Sequence, residues 1–348
     1  MTPRFPAEFE PHAATWIAWP HHEPDWPGKL EPIPWVYAEI VRSLHRHERV
    51  EILCQNEDVE ASARRALDAH GVRENFRIHI VETDRVWLRD SAPTGVITDD
   101  RSVTLVDWRF NAWAKYSNFE RDAHVGEAIE HITGLRRIEP KRADNHERVV
   151  LEGGAIDTDG EGTLLATEEC LLSPIQERNR GLTRDDYERV FREALGIRRT
   201  IWLGEGCVGD DTHGHVDDVA RFTAPGVIAL AYEPDPADDE NHRRSVDNFE
   251  RLQLAGGERG ALRVVKLPFP RAVEMNGERL PASYANFYAA NRVVIVPTFN
   301  DRNDRVALNT LAELFPDREV VGIHAVDLVW GLGTLHCLTQ QQPKGGAR

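Results

Sequence analysis

The chemistry in this sequence lies in a few polar residues, most of them set beside glycines. Near the C-terminus, Gly331-Leu332-Gly333-Thr334-Leu335-His336-Cys337 sets a thiol just after a Gly-x-Gly turn. Glycines there let the backbone take φ > 0 or approach another group closely, so the thiol could face a cavity. The competing reading is a last strand with an inert cysteine, because free Cys is commonly buried and reactivity depends on surroundings that one segment cannot supply. Asp210-Asp211-Thr212-His213-Gly214-His215-Val216-Asp217 combines imidazoles and carboxylates. An extended backbone from Gly214 would put His215 and Asp217 on one side. They then serve either a zinc site made by His213, His215 and Asp217, or general acid/base work by His215 beside a nucleophile. Zinc needs further ligands; Cys337 can supply one, whereas His21, His22 and His336 lack metal spacing. Trp87-Leu88-Arg89-Asp90 offers an aromatic face and a carboxylate, suited to a planar cation with N–H groups or, alternatively, to structural ion pairs. Glu152-Gly153-Gly154 can orient a base in a closed site, or can be a solvated Glu on a glycine turn.

The elements that must position these residues alternate between strand and helix. Strands are expected at 16–19, 50–53, 77–81, 103–106, 149–151, 163–166, 200–203, 264–267, 293–297 and 320–323, with a strand pair at 218–222 and 227–231 turning at Pro225-Gly226. Helices are expected at 35–47, 58–69, 121–133, 183–195, 239–254 and 304–314, from apolar spacing and from caps such as Thr183 and Gly196. The polar residues sit at expected strand ends with regular spacing. Asp90 to Glu152 is 62 residues, Glu152 to His215 is 63, and His215 to Cys337 is 122, twice 61. One slot, near position 276, is vacant. Such self-similarity predicts a fivefold repeat around a common site. No low-complexity segment or linker breaks the chain, so one α/β domain over 1–343 is expected, followed by a flexible tail at 344–348.

Composition excludes several classes. A formal charge of −16 disfavours nucleic acid and anionic membrane, and it suits a small cationic substrate or simply solubility. No apolar run reaches the ~20 residues of a membrane span. The opening residues lack the basic and apolar regions of a secretory signal. Cys54, Cys170, Cys207 and Cys337 form no C-x-x-C pair, which predicts a reducing, cytoplasmic setting.

Taken in order, the motifs resemble the agmatine deiminase family, guanidine-modifying enzymes related to arginine deiminase and peptidylarginine deiminase. The matching residues are Phe9-Glu10-Pro11-His12 with Trp16, Trp19 and Pro20; Trp87, Arg89, Asp90 and Pro93; Asp107-Trp108, Phe110-Asn111-Ala112-Trp113 and Lys115-Tyr116; Glu152-Gly153-Gly154; Asp211, Gly214, His215 and Asp217; and Gly331, Gly333, Leu335-His336-Cys337 and Thr339-Gln340-Gln341. The resemblance covers nearly the whole chain and implies a five-bladed α/β propeller, the pentein fold, with a central active site. It implies Cys337 as nucleophile, Asp90 and Asp217 holding guanidinium nitrogens, His215 as general acid/base, Glu152 orienting His215, and Trp87 flanking the guanidinium. Trp113 and Asp211 would meet the far amine of agmatine.

The implied activity is a hydrolase converting agmatine, on the way to putrescine and polyamines, into N-carbamoylputrescine and ammonia. It needs no metal or other cofactor, and the resemblance allows a homodimer. This chain departs from the family in two places. Asp211 stands where Glu is common, and Gly331-Leu332-Gly333-Thr334 replaces a common Gly-Gly-Gly-Asn turn. Related readings are a deiminase of free arginine or peptidyl-arginine, a zinc-dependent hydrolase using His213, His215 and Asp217, and a propeller kept only for binding. Free arginine lacks a clear partner for its carboxylate, Arg109 and Arg305 being the remaining candidates.

Overall fold

The computed structural model of the chain describes residues 2–259 and 262–346. Its architecture repeats one unit: a short inward turn, a strand, an antiparallel strand, a helix and a parallel strand. The first copy begins at the one-turn helix Leu88–Ser91, followed by Thr94–Thr98, Val103–Val106, the helix Val125–Thr133 and Arg136–Ile138. The second begins at Gly153–Ala155 and runs through Asp157–Thr158, Thr163–Thr167, Arg184–Leu195 and Arg199–Leu203. The third begins at Val216–Asp218, with Ala220–Ala224, Val227–Tyr232, Asp239–Arg259 and Arg263–Pro268. The fourth has a turn closed by Asn286 N–H donating to Ser283 O, then Tyr288–Ala289, Val293–Thr298, Arg302–Leu314 and Glu319–His324.

The fifth copy joins the two ends of the chain. It starts at Leu335–Leu338, and its strand Gln340–Pro343 pairs antiparallel with His12–Ala18, which continues through Ile33–Leu44 to the parallel Arg49–Cys54. A further helix, Glu57–Ala69, leads to Phe76–Ile80, parallel to Arg49–Cys54. The helix between parallel strands follows from geometry, since a parallel pair needs a long crossover. An extra hairpin, Glu274–Met275 with Glu278–Arg279, turns at Asn276 (φ 54°) and Gly277 (φ 83°), as a two-residue Asn-Gly hairpin requires.

Most expected elements are present within a few residues. Thr183 caps Arg184–Leu195 through a capping box with Asp186, and Gly196 ends the helix at φ 73°. Two expectations are corrected. Residues 149–151 form no regular strand, only an isolated bridge between Val150 and Arg109. The extended backbone expected at His215 is instead the entry to a 3-10 turn, Val216–Asp218. Of the terminal segment, Lys344 N–H donates to Pro11 O and Gly346 N–H to Arg101 O, and residues 347–348 lie outside the described residues. No helix among the described residues is long and apolar enough to cross a membrane.

Candidate active site

The short turns are where the polar residues gather. Asp90 lies in Leu88–Ser91, Glu152 precedes Gly153–Ala155, and His215 and Asp217 flank and enter Val216–Asp218. Cys337 lies in Leu335–Leu338. All five side chains are buried, with Glu152 and Asp217 fully shielded. Gly154 allows them to converge. A Cβ there would lie 2.5 Å from His215 Nδ1, 2.9 Å from Asp90 Oδ1 and 3.1 Å from Asp217 Oδ2, so only glycine leaves room for the three groups.

The partners of each group set its charge. Asp90 accepts from Gly154 N–H (3.0 Å) and from Trp113 Nε1–H (2.9 Å). Burial pushes its carboxyl up to about 6, with Asp217 and Glu152 adding to the shift. Burial also raises Asp217, but the His336 Nδ1 hydrogen bond at 2.6 Å together with the charges of His336, His215 and Arg221 holds it below the ordinary value. Asp217 Oδ1 is buried with no hydrogen-bond partner among the described residues. Glu152 accepts from Arg178 Nε–H at 3.0 Å, and despite burial this cation holds it down at about 2. His215 Nε2 lies 3.5 Å from Glu152 Oε2 and Nδ1 lies 3.8 Å from Asp90 Oδ1. Neither ring nitrogen has a hydrogen-bond partner among the described residues. Burial lowers the imidazole pKa, but Asp90 and Glu152 raise it well above its usual range. The Cys337 thiol is raised well above its usual value by burial and by Asp217, Asp218 and Asp90, and Sγ lies 3.7 Å from Asp217 Oδ2.

A narrow cavity leads to these groups, lined by Arg85, Trp87, Asp90, Trp113, Asp211 and Cys337 together with the 331–333 turn. A far larger cavity of about 940 Å³ lies by the N-terminal strand, lined by Arg4, Arg101 and Arg198 among others and by none of these groups. The glycines at 331 and 333 serve close approach. A Cβ on either would lie 2.8 Å from the Trp87 ring, while the left-handed backbone falls on Leu332 (φ 67°). Trp113 is aimed by three consecutive left-handed residues, Ala112, Trp113 and Ala114 (φ 50°, 58° and 53°). Each costs about 1–3 kcal/mol. The strain is held by Asn111 Oδ1 accepting from Ala114 N–H at 3.0 Å and by the Trp113–Asp90 bond.

Asp211 sits at the rim, accepting from Tyr116 OH at 2.7 Å and paired with Lys115 Nζ. Arg89 takes the structural role: it contacts Glu8, Gln340 and Gln341 beneath the site while its neighbour Asp90 faces the cavity. Arg109 and Arg305 are exposed and do not line the cavity; the cation that does is Arg85.

The zinc set drawn from His213, His215 and Asp217 is corrected. His213 Nε2 lies 3.1 Å from Ser173 Oγ. Among the described residues, the groups with ligand atoms within 4.8 Å of one another are Glu152, Cys170 and His215, and separately Asp217, Asp218 and Cys337. Neither includes His213. Spacing alone missed Asn286, His336, Glu8 and Arg178. His336 was visible as the neighbour of Cys337; the other three have no local signal.

A family model described as Porphyromonas-type peptidyl-arginine deiminase matches residues 4–343. The chain belongs to that family. As a member of the Porphyromonas-type family it is 37% identical over 364 residues to the agmatine deiminase of Stutzerimonas stutzeri, covering 97% of this chain and 95% of that one. Its structure is similar to that of an agmatine deiminase of Enterococcus faecalis, with TM-score 0.88, 30% identity, and 99% and 96% of the two chains covered. It is also similar to an agmatine deiminase of C. jejuni with substrate bound, with TM-score 0.87, 27% identity and 99% and 97% coverage. An amidinotransferase from Microseira wollei shares the fold at TM-score 0.54 and 12% identity, over 99% and 98% of the chains. The family therefore has a mixed α/β fold of the amidinotransferase type.

Proposed function

We propose that this chain is an agmatine deiminase, hydrolysing agmatine to N-carbamoylputrescine and ammonia through a covalent intermediate on Cys337. The observation that carries the reading is the pair Asp90 and Asp217. Both carboxylates are buried beside a thiol and an imidazole, and among the described residues neither contacts a Lys or Arg. A buried carboxylate without a cation is costly, and a guanidinium between the two supplies one while presenting its carbon to sulfur. Trp87 and Trp113 both line the slot.

The protonation states suit this sequence of steps. In the empty site burial, reinforced by Asp217, Asp218 and Asp90, keeps the Cys337 thiol protonated. Arrival of a cation offsets them and favours the thiolate. Sγ adds to the guanidinium carbon, and protonated His215 gives its proton to the departing nitrogen. Ammonia leaves, and a thiouronium remains on Cys337. Neutral His215 then takes a proton from water, which attacks the same carbon. The C–S bond breaks, and the ureido product leaves. Glu152, itself fixed by Arg178, keeps the imidazole oriented and cationic until it is used. Every proton moves between these groups, substrate and water, so the reaction as written asks for no cofactor.

We read the five sheets of three or four strands as blades of a pentein propeller formed by one domain over 1–343. The recurring unit and the ring closure by Gln340–Pro343 on His12–Ala18 support this. The four free cysteines, all buried, support a reducing cytoplasm. A homodimer remains part of the proposal by family resemblance.

A second reading, a deiminase of arginine or peptidyl-arginine, is favoured by the rim. Asp211 is already paired with Lys115, and Arg85, which lines the same cavity and pairs with Asp25 through Nε, has its Nη1 buried without a partner among the described residues. Such a donor suits a guanidine whose tail carries a carbonyl or carboxylate. Ammonia release from agmatine, arginine and a peptidyl-arginine, with Cys337→Ala as control, decides. Agmatine preferred, and no turnover by Cys337→Ala, is the expected result. Arginine or peptide preferred would replace the substrate, and activity in Cys337→Ala would end the mechanism.

A further inference from the structure

Asn286 is fully buried in the inward turn of the fourth sheet and has no part in the mechanism above. Its Oδ1 accepts from Thr334 Oγ1–H (2.8 Å), His336 N–H (3.0 Å) and Cys337 N–H (3.4 Å). Backbone amides only donate, so the oxygen must face the Cys337 turn, and this fixes the amide orientation. The nitrogen then points the other way, donating to Asp218 Oδ1 at 3.0 Å and to Cys337 Sγ at 3.1 Å. The main-chain carbonyl of Asn286 accepts from His336 N–H at 3.2 Å as well. One side chain thus ties the nucleophile's turn to the turn carrying Asp217 and Asp218, and gives the sulfur a neutral N–H donor. The other titratable groups facing Cys337 are Asp90, Asp217 and Asp218, all of which oppose a negative sulfur, with His336 and His215 behind them. Asn286 therefore supplies a fixed donor that a thiolate would use more strongly than a thiol.

We infer that Asn286 is the positioning residue for Cys337: its Oδ1 sets the turn, and its Nδ2–H stabilises the thiolate that attacks the guanidinium. The inference rests on the proposed reaction for its kinetic part only. The side chain also occupies the slot that spacing leaves vacant near position 276. The Glu274–Arg279 hairpin displaces the inward turn along the chain, so the fifth contributor arrives at Asn286.

The test compares the full chain with Asn286→Asp and Asn286→Ser, and with Thr334→Val, which removes one donor from Oδ1 and keeps Asn286. Second-order alkylation of Cys337 by iodoacetamide is measured from pH 7 to 10, with Cys337→Ala as the blank. The expected result for Asn286→Asp is a fall of about tenfold across that range, equal to one pKa unit upward. A loss in kcat of about 100-fold, with a smaller change in KM, is expected as for a misplaced reacting group. Asn286→Ser and Thr334→Val should move both readouts in the same direction by less. Folding is checked by melting temperature, and if Asn286→Asp does not fold the other two variants decide. Alkylation unchanged in the folded variants overturns the inference, including when kcat and melting temperature fall, since that is a purely structural role. If the parent releases no ammonia from agmatine while alkylation still depends on Asn286, the substrate reading fails and this inference stands.

Discussion

His336 Nδ1 lies 2.6 Å from Asp217 Oδ2, while its other nitrogen lies 2.8 Å from Glu8 Oε2. The residue next to Cys337 therefore holds a carboxylate 119 positions away in sequence, and is itself held by Glu8, which pairs with Arg221 at 2.8 Å. Removing His336 should release Asp217 upward in pKa, because burial would then act without its main opponent. The acid limb of kcat/KM should shift to higher pH in His336→Ala, with about 1–3 kcal/mol of stability lost to the unpaired groups. A pH–rate profile from 4 to 8, with a urea titration, checks both. An unmoved acid limb would show that Asp217 does not depend on this bond.

Asp90 makes a prediction of opposite sign. Its folded value, about 6, exceeds the ordinary carboxylate value of 3.8. Between those two values the native state holds the extra proton, so this group's contribution to stability falls as pH rises from about 4 to about 6, by about 3 kcal/mol in all. The urea midpoint of the substrate-free protein, measured over that window, should carry this slope. Asp90→Asn should lack its share and should lose at least about 100-fold in kcat/KM, from the missing charge pair.

Arg178 and Glu152 are a buried pair, with both side chains at 0% exposure. Arg178→Met leaves Glu152 charged and unpaired, an expected loss of about 3–5 kcal/mol. Combining it with Glu152→Gln should recover much of that stability, though not activity. Because Glu152 is held at about 2, its contribution is present above the ordinary value of 4.5 and is lost as pH falls toward 2. Melting temperatures of the single and double variants at pH 7 test the coupling.

The rim predicts a split between substrates. Asp211 accepts from Tyr116, pairs with Lys115 and lines the cavity that also holds Cys337. Asp211→Asn should raise KM for agmatine about tenfold while leaving a guanidine without the amine tail within about twofold, the range for a partly exposed charge contact. Equal losses on both substrates would move Asp211 from tail recognition to support of the loop.

That Asp90, Glu152, His215 and Cys337 belong together was legible because each sits where sequence marks a turn. Asp90, Glu152, His215 and Cys337 fall on a nearly constant spacing, and spacing follows from a repeated unit of fixed length. The helices were legible from caps and periodicity, as at Thr183 and Gly196. The strand Gln340–Pro343 was not. Three glutamines carry no strand signal, and the segment is a strand because His12–Ala18 offers it a ladder. Asn286 escaped the spacing because a six-residue hairpin precedes it, from Glu274 to Arg279.

By itself the sequence determined the kinds of groups present and the order in which the turns present them, since both depend on local signals and on a repeat length. Only the tertiary structure decided their states. Gly154 reads as a turn residue until His215, Asp90 and Asp217 surround it. Arg89 and Asp90 are adjacent in sequence, yet one is a strut and the other faces the cavity. The Cys337 thiol is raised by burial and by Asp217, Asp218 and Asp90, whereas Glu152 is depressed against its burial by Arg178 and His215. Such fields act through space at a few ångströms, so they exist only once the folded chain has brought these segments together.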